Sequence, residues 1–456
     1  MSLYFEQAQP ADLLCAYPIG AAFLDGPATL NPSELRELQE QRFARVIERA
    51  WQIPFYQQHW RAAGLEPGDV QTLDDLVHVP VFTKTDLMAS VKRAPPLGDY
   101  HGLKGNGPGA HRAILHTTSG TTGEPQPLFF GPRDREIQNI LLARAYLLQG
   151  LRPDDVIHSV YGFGMVNGGH YIREAILHYT QALLLPAGTG AETRSRLQID
   201  LMHRFGATVL VGFSDFLRKL AEVAKEAGLE PGKDLPVRMI SGHLDHASRE
   251  GLADIWGGAD TFDWYGVGDT GIIAAEGPRR DGLYLWEDAH FVEMLDPNSG
   301  QPVADTAPGN ICVTVLFKDT VYPIIRFDTQ DVSTLLPVDP ASGIAFRRIT
   351  GFGGRSDNMV KLRGINLYPT AIAPLLQGLD GFTGEYVCRI NSRRDEMTVI
   401  AEYAGDDRRA PSQLAQRLRE QLGVRVAIEL VAPGQTAPLT GLEQRQKPRR
   451  LIDEDG

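Results

Sequence analysis

The sequence predicts an α/β protein. A large N-terminal domain carries parallel sheets flanked by helices plus an antiparallel layer, and a small mobile α+β domain follows it. Three observations lead there. Between residues 155 and 265, short apolar runs alternate with amphipathic stretches in a βαβα rhythm, the pattern of a parallel sheet covered by helices. From about residue 283, strand-like runs succeed one another without helices between them. After Arg355 the order becomes strand, strand, helix, strand, which suits a small separate unit. A chain of 456 residues with 43% hydrophobic content is too long for one ordinary domain and rich enough for a large core. The boundary is placed near 355–357, giving domains 1–355 and 356–456.

The elements follow in order. Residues 31–50 read as a helix: Asn31 can cap it, Pro32 suits its first position, and Glu34 can close a capping box. Leu35, Leu38, Phe43, Val46 and Ile47 make its apolar face. Strands are expected at 156–160, 182–185, 207–213, 236–241 and 261–265, with helices at 171–179, 194–205, 216–227 and 248–256 between them. The antiparallel part comprises 283–286, 291–295 and 310–317. The last part has strands at 387–390, 398–403 and 425–431 and a helix over 412–422. In parallel sheets, ligands gather beyond the carboxyl ends of the strands. Gly212–Phe213–Ser214, Ser241–Gly242–His243 and Tyr265–Gly266 all fall at such ends.

Composition narrows the function. The net charge of −12 gives no general attraction to nucleic acid or to an anionic membrane, so an anionic ligand needs locally concentrated positive charge. Cys15, Cys312 and Cys388 are far apart and form no CxxC pair, which excludes a disulfide framework and fits a reducing cytoplasm. Cys312 and Cys388 lie in strand-like apolar runs and read as buried packing. The apolar stretch 13–24 lacks a basic start and contains Pro18, a poor signal peptide. No run approaches the ~20 apolar residues of a membrane span. His243 and His246 suggest no third ligand, so no zinc is expected.

Four motifs carry chemistry. Thr117–Thr118–Ser119–Gly120–Thr121–Thr122–Gly123 follows a strand. Its glycines and hydroxyls can wrap phosphate oxygens, although a Ser/Thr-rich hairpin turn has the same composition. In Ile325–Arg326–Phe327–Asp328–Thr329–Gln330–Asp331, a carboxylate at a strand end can accept both hydroxyls of a ribose, or simply close a turn. The stretch from Gly354 to Pro369 spans the expected boundary, where a charged linker would explain its polarity but not its ordered glycines and prolines. The tail gathers Arg445, Lys447, Arg449 and Arg450, which on composition alone is a solvated end. Asp245 and Asp269 read as catalytic carboxylates or as turn residues.

Taken together and in this order, the motifs resemble the adenylate-forming (acyl-CoA synthetase) superfamily, most closely the phenylacetate-CoA ligase family. Phe55–Tyr56, Pro80–Val81–Phe82–Thr83–Lys84, Tyr161–Gly162–Phe163–Gly164–Met165 and Gly168–Gly169 support it, and the resemblance runs from about Leu35 to Asp453. It implies an ATP-dependent acid–thiol ligase. Such an enzyme converts a carboxylic acid, here aromatic or aryl-acetic, to an acyl-AMP and then to an acyl-CoA, with Mg²⁺ and CoA required. Transfer to a carrier protein or amine is the alternative, and a homodimer is left open.

Residue by residue, it implies that Thr118, Ser119, Gly120, Thr121, Thr122 and Gly123 hold the phosphates. Ser241, Gly242, His243, Trp264, Tyr265 and Gly266 would meet the adenine, while Asp331 and Arg355 would meet the ribose. Tyr161, Phe163 and Phe213 would line the acyl pocket. Asp357 matches the hinge, Gly364 the CoA tunnel and Lys447 the catalytic lysine. Asp269 matches the metal ligand and is also assigned a catalytic role. This chain departs from the family at Gly268–Asp269, where Ser/Thr-Glu is usual, and at Gln126, where many relatives have lysine. The segment Ser241–His243 lacks the usual acidic residue.

Overall fold

The computed structural model describes residues 3–454 apart from 104–111, 119–124, 245–248, 305, 357–359, 363–364, 368, 377–378, 380, 392–395, 406–408, 423 and 441–448. The chain divides into two units: Met1–Thr329 with Ser333–Gly351, and Gln330–Val332 with Phe352–Gly456.

The large unit opens with helices. Pro32–Ala50 begins as its sequence dictates: Asn31 Oδ1 accepts the N–H groups of Ser33 and Glu34 at 3.0 and 3.1 Å, and Glu34 returns its carboxylate to the Asn31 N–H at 2.9 Å. A short antiparallel hairpin follows, β1 (Ile114–Thr117) with β2 (Pro127–Phe130). Then come β3 (Val156–Ser159), β4 (Leu183–Pro186), β5 (Val209–Phe213), β6 (Met239–His243) and β7 (Asp260–Val267). These five run parallel in the order β4-β3-β5-β6-β7, with helices in the connections.

The chain turns back after β7 into β8 (Gly271–Glu276), β9 (Leu283–Leu285), β10 (His290–Leu295), β11 (Pro308–Val315), β12 (Phe327–Leu336) and β13 (Arg348–Ile349). The antiparallel strands do not form a detached layer; they continue the same path, β10-β11-β12-β13-β9-β8-β7. The reversal also starts at 271, earlier than the expected 283. Gly271 adopts φ +75°, and the register shifts between Tyr265 and Gly266. Every residue of β8 is buried, so it shows no alternation to read. The helix Pro132–Leu148 was likewise missed, because it is buried nearly all round. It carries Arg144, which clasps Asp288 at 2.8 and 3.0 Å beneath the faces of Phe23 and Trp286.

The helix before β4 starts at Asn167 rather than 171. Gly168–Gly169 argues against a helix on propensity, yet a side chain at Gly169 would lie 2.3 Å from the Gly162 carbonyl. Close packing requires the glycine and overrides the propensity.

The small unit holds β14 (Gly354–Arg355), β15 (Val360–Leu362), β16 (Ile365–Leu367), β17 (Phe382–Ile390), β18 (Met397–Tyr403), the helix Ala410–Leu422, β19 (Ala427–Val431) and β20 (Leu451–Asp453). Its main sheet runs β19-β18-β17-β20, with β17 and β18 antiparallel and the outer strands parallel to their neighbours. Cys388, Val399 and Leu414 belong to its own core. Cys312 and Cys388 are buried in strands, while Cys15 is exposed.

Candidate active site

The stem of the Ser/Thr/Gly segment leads into the first cluster. Thr118 donates its N–H to the Gln126 carbonyl at 3.1 Å, and the Gln126 N–H returns to Thr118 Oγ1 at 3.3 Å. The Gln126 side chain is fully buried and donates to Asp269 Oδ1 at 2.6 Å. The Tyr322 hydroxyl donates to the same oxygen at 2.8 Å. Lys318 is also fully buried, and its ammonium donates to the Asp269 main-chain carbonyl at 2.8 Å. Ser119–Gly123, also assigned to phosphate binding, lies outside the described residues.

Electrostatics follows from burial. Desolvation raises the pKa of Asp269; the Tyr322 hydrogen bond, the Lys318 charge and the Gln126 hydrogen bond oppose that rise. Asp134 is raised by burial and pulled down by Lys318, while Lys318 is lowered by burial and pulled up by Asp134 and Asp269. Asp134 accepts the Thr320 hydroxyl at 3.1 Å on each oxygen. Sequence reasoning missed Lys318 and Tyr322, because Phe317–Lys318–Asp319–Thr320 reads as a charged surface turn after a strand.

A second group forms at the ends of β5, β6 and β7. Gly212 and Gly242 are register partners, and a Cβ on Gly242 would stand 1.9 Å from the Gly212 carbonyl oxygen. Ser241 is buried and donates its hydroxyl to Gln149 at 2.7 Å. His243 Nδ1 lies 2.7 Å from the Tyr161 hydroxyl. Its ring stacks on Phe213 with centroids 5.4 Å apart and meets Trp264 at 4.1 Å. Tyr161 and Phe213, two of the three aromatics expected to line an acyl pocket, have ring centroids 4.6 Å apart. Phe163 makes its ring contact with His170 instead, at 5.7 Å.

Asp263 was not singled out. Its Oδ1 accepts the N–H groups of Leu244 and Trp264, and burial together with the charge of Glu276 pushes its pKa up to about 8. Glu276 is fixed by two hydrogen bonds from Arg249 at 2.6 and 2.7 Å. Tyr265 is buried, with its hydroxyl 3.3 Å from Thr329 Oγ1. Gly266 packs so that a side chain would lie 2.2 Å from the Gly271 carbonyl.

Asp331 and Arg355 belong to the small unit and are register partners, with Arg355 donating to Asp331 Oδ1 at 3.1 Å. Gln330, just before Asp331, takes a left-handed φ of +61°. That conformation costs ~1–3 kcal/mol for a non-glycine residue. The Ser356 N–H and hydroxyl, both donating to the Gln330 carbonyl, help hold it. Asp357, Gly364 and Lys447 lie outside the described residues, as do Asp245 and His246. Arg326 of the same motif is structural: its guanidinium clasps Glu293 at 3.0 and 2.8 Å.

Residues 364–454 match the family described as AMP-binding enzyme C-terminal domain. The chain is 26% identical to the phenylacetate-coenzyme A ligase of Thermus thermophilus over 455 residues, 93% of this chain and 98% of that one. Against the phenylacetate-coenzyme A ligase of Aromatoleum evansii it is 27% identical over 392 residues, covering 82% and 84%. The crystal structure of 2-hydroxyisobutyryl-CoA ligase in the postadenylation state, in complex with 2-HIB-AMP, matches with a TM-score of 0.82 at 26% identity, covering 94% of this chain and 91% of that chain. Over nearly its whole length the chain is similar to adenylate-forming ligases. Among them its similarity runs to the phenylacetate-CoA ligases. Thr118, Gln126 and Asp269 thus form one hydrogen-bonded cluster, linking the stem of the Ser/Thr/Gly segment to a buried carboxylate.

Proposed function

We propose that the protein is an AMP-forming acid–thiol ligase that converts an aromatic or aryl-acetic acid to its acyl-AMP and transfers the acyl group to CoA. The observation that supports this most is Asp269, a buried carboxylate tied by Gln126 to the stem at Thr118. In the first half-reaction a weak carboxylate nucleophile attacks an anionic α-phosphorus. The site must therefore contribute positioning and charge neutralisation.

The donor set around Asp269 fits a divalent cation. Gln126 and Tyr322 both donate to Oδ1, Lys318 is engaged with the main-chain oxygen, and Oδ2 accepts no hydrogen bond among the described residues. Asp269 would hold Mg²⁺, which when bound supplies positive charge to the triphosphate. Thr118 and residues 119–123 would cradle the phosphates, and Ser241–His243 with Trp264, Tyr265 and Gly266 would receive the adenine. Asp331, braced by Arg355, would accept the ribose hydroxyls. Lys447 would neutralise charge during adenylation, Asp357 would be the pivot of the small domain, and Gly364 would line the path of CoA.

The aromatic preference rests on the rings of Tyr161, Phe213, His243 and Trp264 at the strand ends, which give a planar acid flat apolar surface. A panel of carboxylic acids, followed by pyrophosphate release and by mass spectrometry of the thioester, tests the reading. Phenylacetate and benzoate types should have the highest kcat/KM. A clear preference for short aliphatic or hydroxy acids would overturn the aromatic assignment and leave acid activation standing.

A further inference from the structure

Lys318 has no part in the assignments above, yet it is the most unusual group near the site. Its side chain is fully buried, where an ammonium is unfavourable unless paired and hydrogen-bonded. Its hydrogen bond, at 2.8 Å, goes to the main-chain oxygen of Asp269. Its ammonium also lies 4.3 Å from the centroid of Tyr322 and 4.8 Å from that of Phe130. Tyr322 is the residue whose hydroxyl holds Asp269 Oδ1, and Phe130 ends β2, the strand that begins directly after Gln126, the other donor to Oδ1. Three chain segments that fix one carboxylate therefore meet at one buried cation. Asp134 supplies the opposing charge and is held by Thr320.

We propose that Lys318 is a positioning residue for Asp269: by holding the peptide at 269 and the ring of Tyr322, it keeps Oδ1 engaged and presents Oδ2 to a divalent cation carried with ATP. This rests on the acyl-adenylate reading for the identity of the cation and nucleotide. A lysine that merely balanced Asp134 would need no contact with Asp269. The contact with that residue's main chain, rather than its carboxylate, secures its orientation without occupying its ligand oxygens.

The test compares the full-length protein with Lys318→Met and with Lys318→Met/Asp134→Asn, which removes both buried charges together. Two quantities are read: the Mg²⁺ concentration giving half-maximal pyrophosphate release, and the rise in melting temperature caused by ATP with Mg²⁺ over ATP with EDTA. Both variants should need at least ~10-fold more Mg²⁺, and both should lose most of the Mg²⁺-dependent thermal rise. The double variant should melt near the wild-type temperature without added ligand. Recovery of the wild-type Mg²⁺ requirement in the double variant would reduce Lys318 to a partner of Asp134. A lower Mg²⁺ requirement in Lys318→Met would make it a repelling charge instead. Either result overturns the proposal. If the wild type released no pyrophosphate with any acid, the functional reading would fail, while the thermal comparison would still decide the role of Lys318.

Discussion

Replacing Gly242 with alanine probes the place where the two central parallel strands approach most closely. The added Cβ would sit 1.9 Å from the Gly212 carbonyl oxygen, 2.9 Å from its carbon and 3.1 Å from the Gly212 nitrogen. A carbon and a carbonyl oxygen rest about 3.3 Å apart, so the strands must separate locally by about 1.4 Å. All the clashing atoms are backbone, so no rotamer change relieves them. A displacement of that size breaks about two ladder hydrogen bonds, each worth ~0.5–1.5 kcal/mol. Overpacking adds ~1–3 kcal/mol, for a total of about 2–6 kcal/mol. Gly212→Ala is the control. Its Cβ would meet Val160 Cγ2 at 2.4 Å and Leu217 at 3.2 Å, side-chain atoms that can turn away, so ~1–3 kcal/mol is expected. Thermal unfolding should place Gly242→Ala several degrees below Gly212→Ala, since ~1 kcal/mol shifts a large domain by about 2–4 °C. Calorimetry should also find weaker ATP binding in Gly242→Ala, because His243 follows directly on the displaced strand. Equal melting temperatures with unchanged ATP affinity would refute the close-approach argument.

Three further outcomes follow from the geometry. Asp269→Asn should abolish acid-dependent pyrophosphate release while melting higher than Asp269→Ala; the alanine strands the buried donors of Tyr322 and Gln126 at ~1–3 kcal/mol each, and an alanine variant of equal stability would contradict this. Asp331→Ala should weaken ATP binding by ~2–3 kcal/mol in calorimetry, through loss of a carboxylate that accepts two ribose hydroxyls, and unchanged affinity would remove it from the ribose site. Buried His290 has its pKa depressed to about 4, chiefly by desolvation, against an ordinary 6.5. The unfolded chain then binds a proton that the folded chain refuses, so this contribution is fully present above pH 6.5 and is lost as pH falls towards 4, up to ~3 kcal/mol. His290→Gln should flatten the fall in unfolding free energy over that interval, and a parallel pH profile would contradict it.

Much of this was legible wherever local chemistry and tertiary structure agree. Asn31, Pro32 and Glu34 specified a helix start that the structure keeps to the residue. The alternation from Val156 to Tyr265 specified parallel strands whose carboxyl ends bring Phe213, His243 and Trp264 together. Legibility failed where burial erases periodicity, as in Gly271–Glu276 and Pro132–Leu148. It failed again where a charged residue turns inward: Lys318 and Asp134 have the residue types of a surface, and only the packing of distant segments buries them. Gln126 was visible as a departure from the family pattern, but its bond to Asp269 spans 143 residues and no local signal carries it.

Acid-dependent exchange of labelled pyrophosphate into ATP, measured without CoA, tests acyl-adenylate formation most directly. Exchange should appear only when a suitable acid and Mg²⁺ are both present. Adding CoA should then convert the acid to its thioester with release of AMP. Formation of ADP and phosphate, or no exchange with any acid while ATP still binds, would contradict the account.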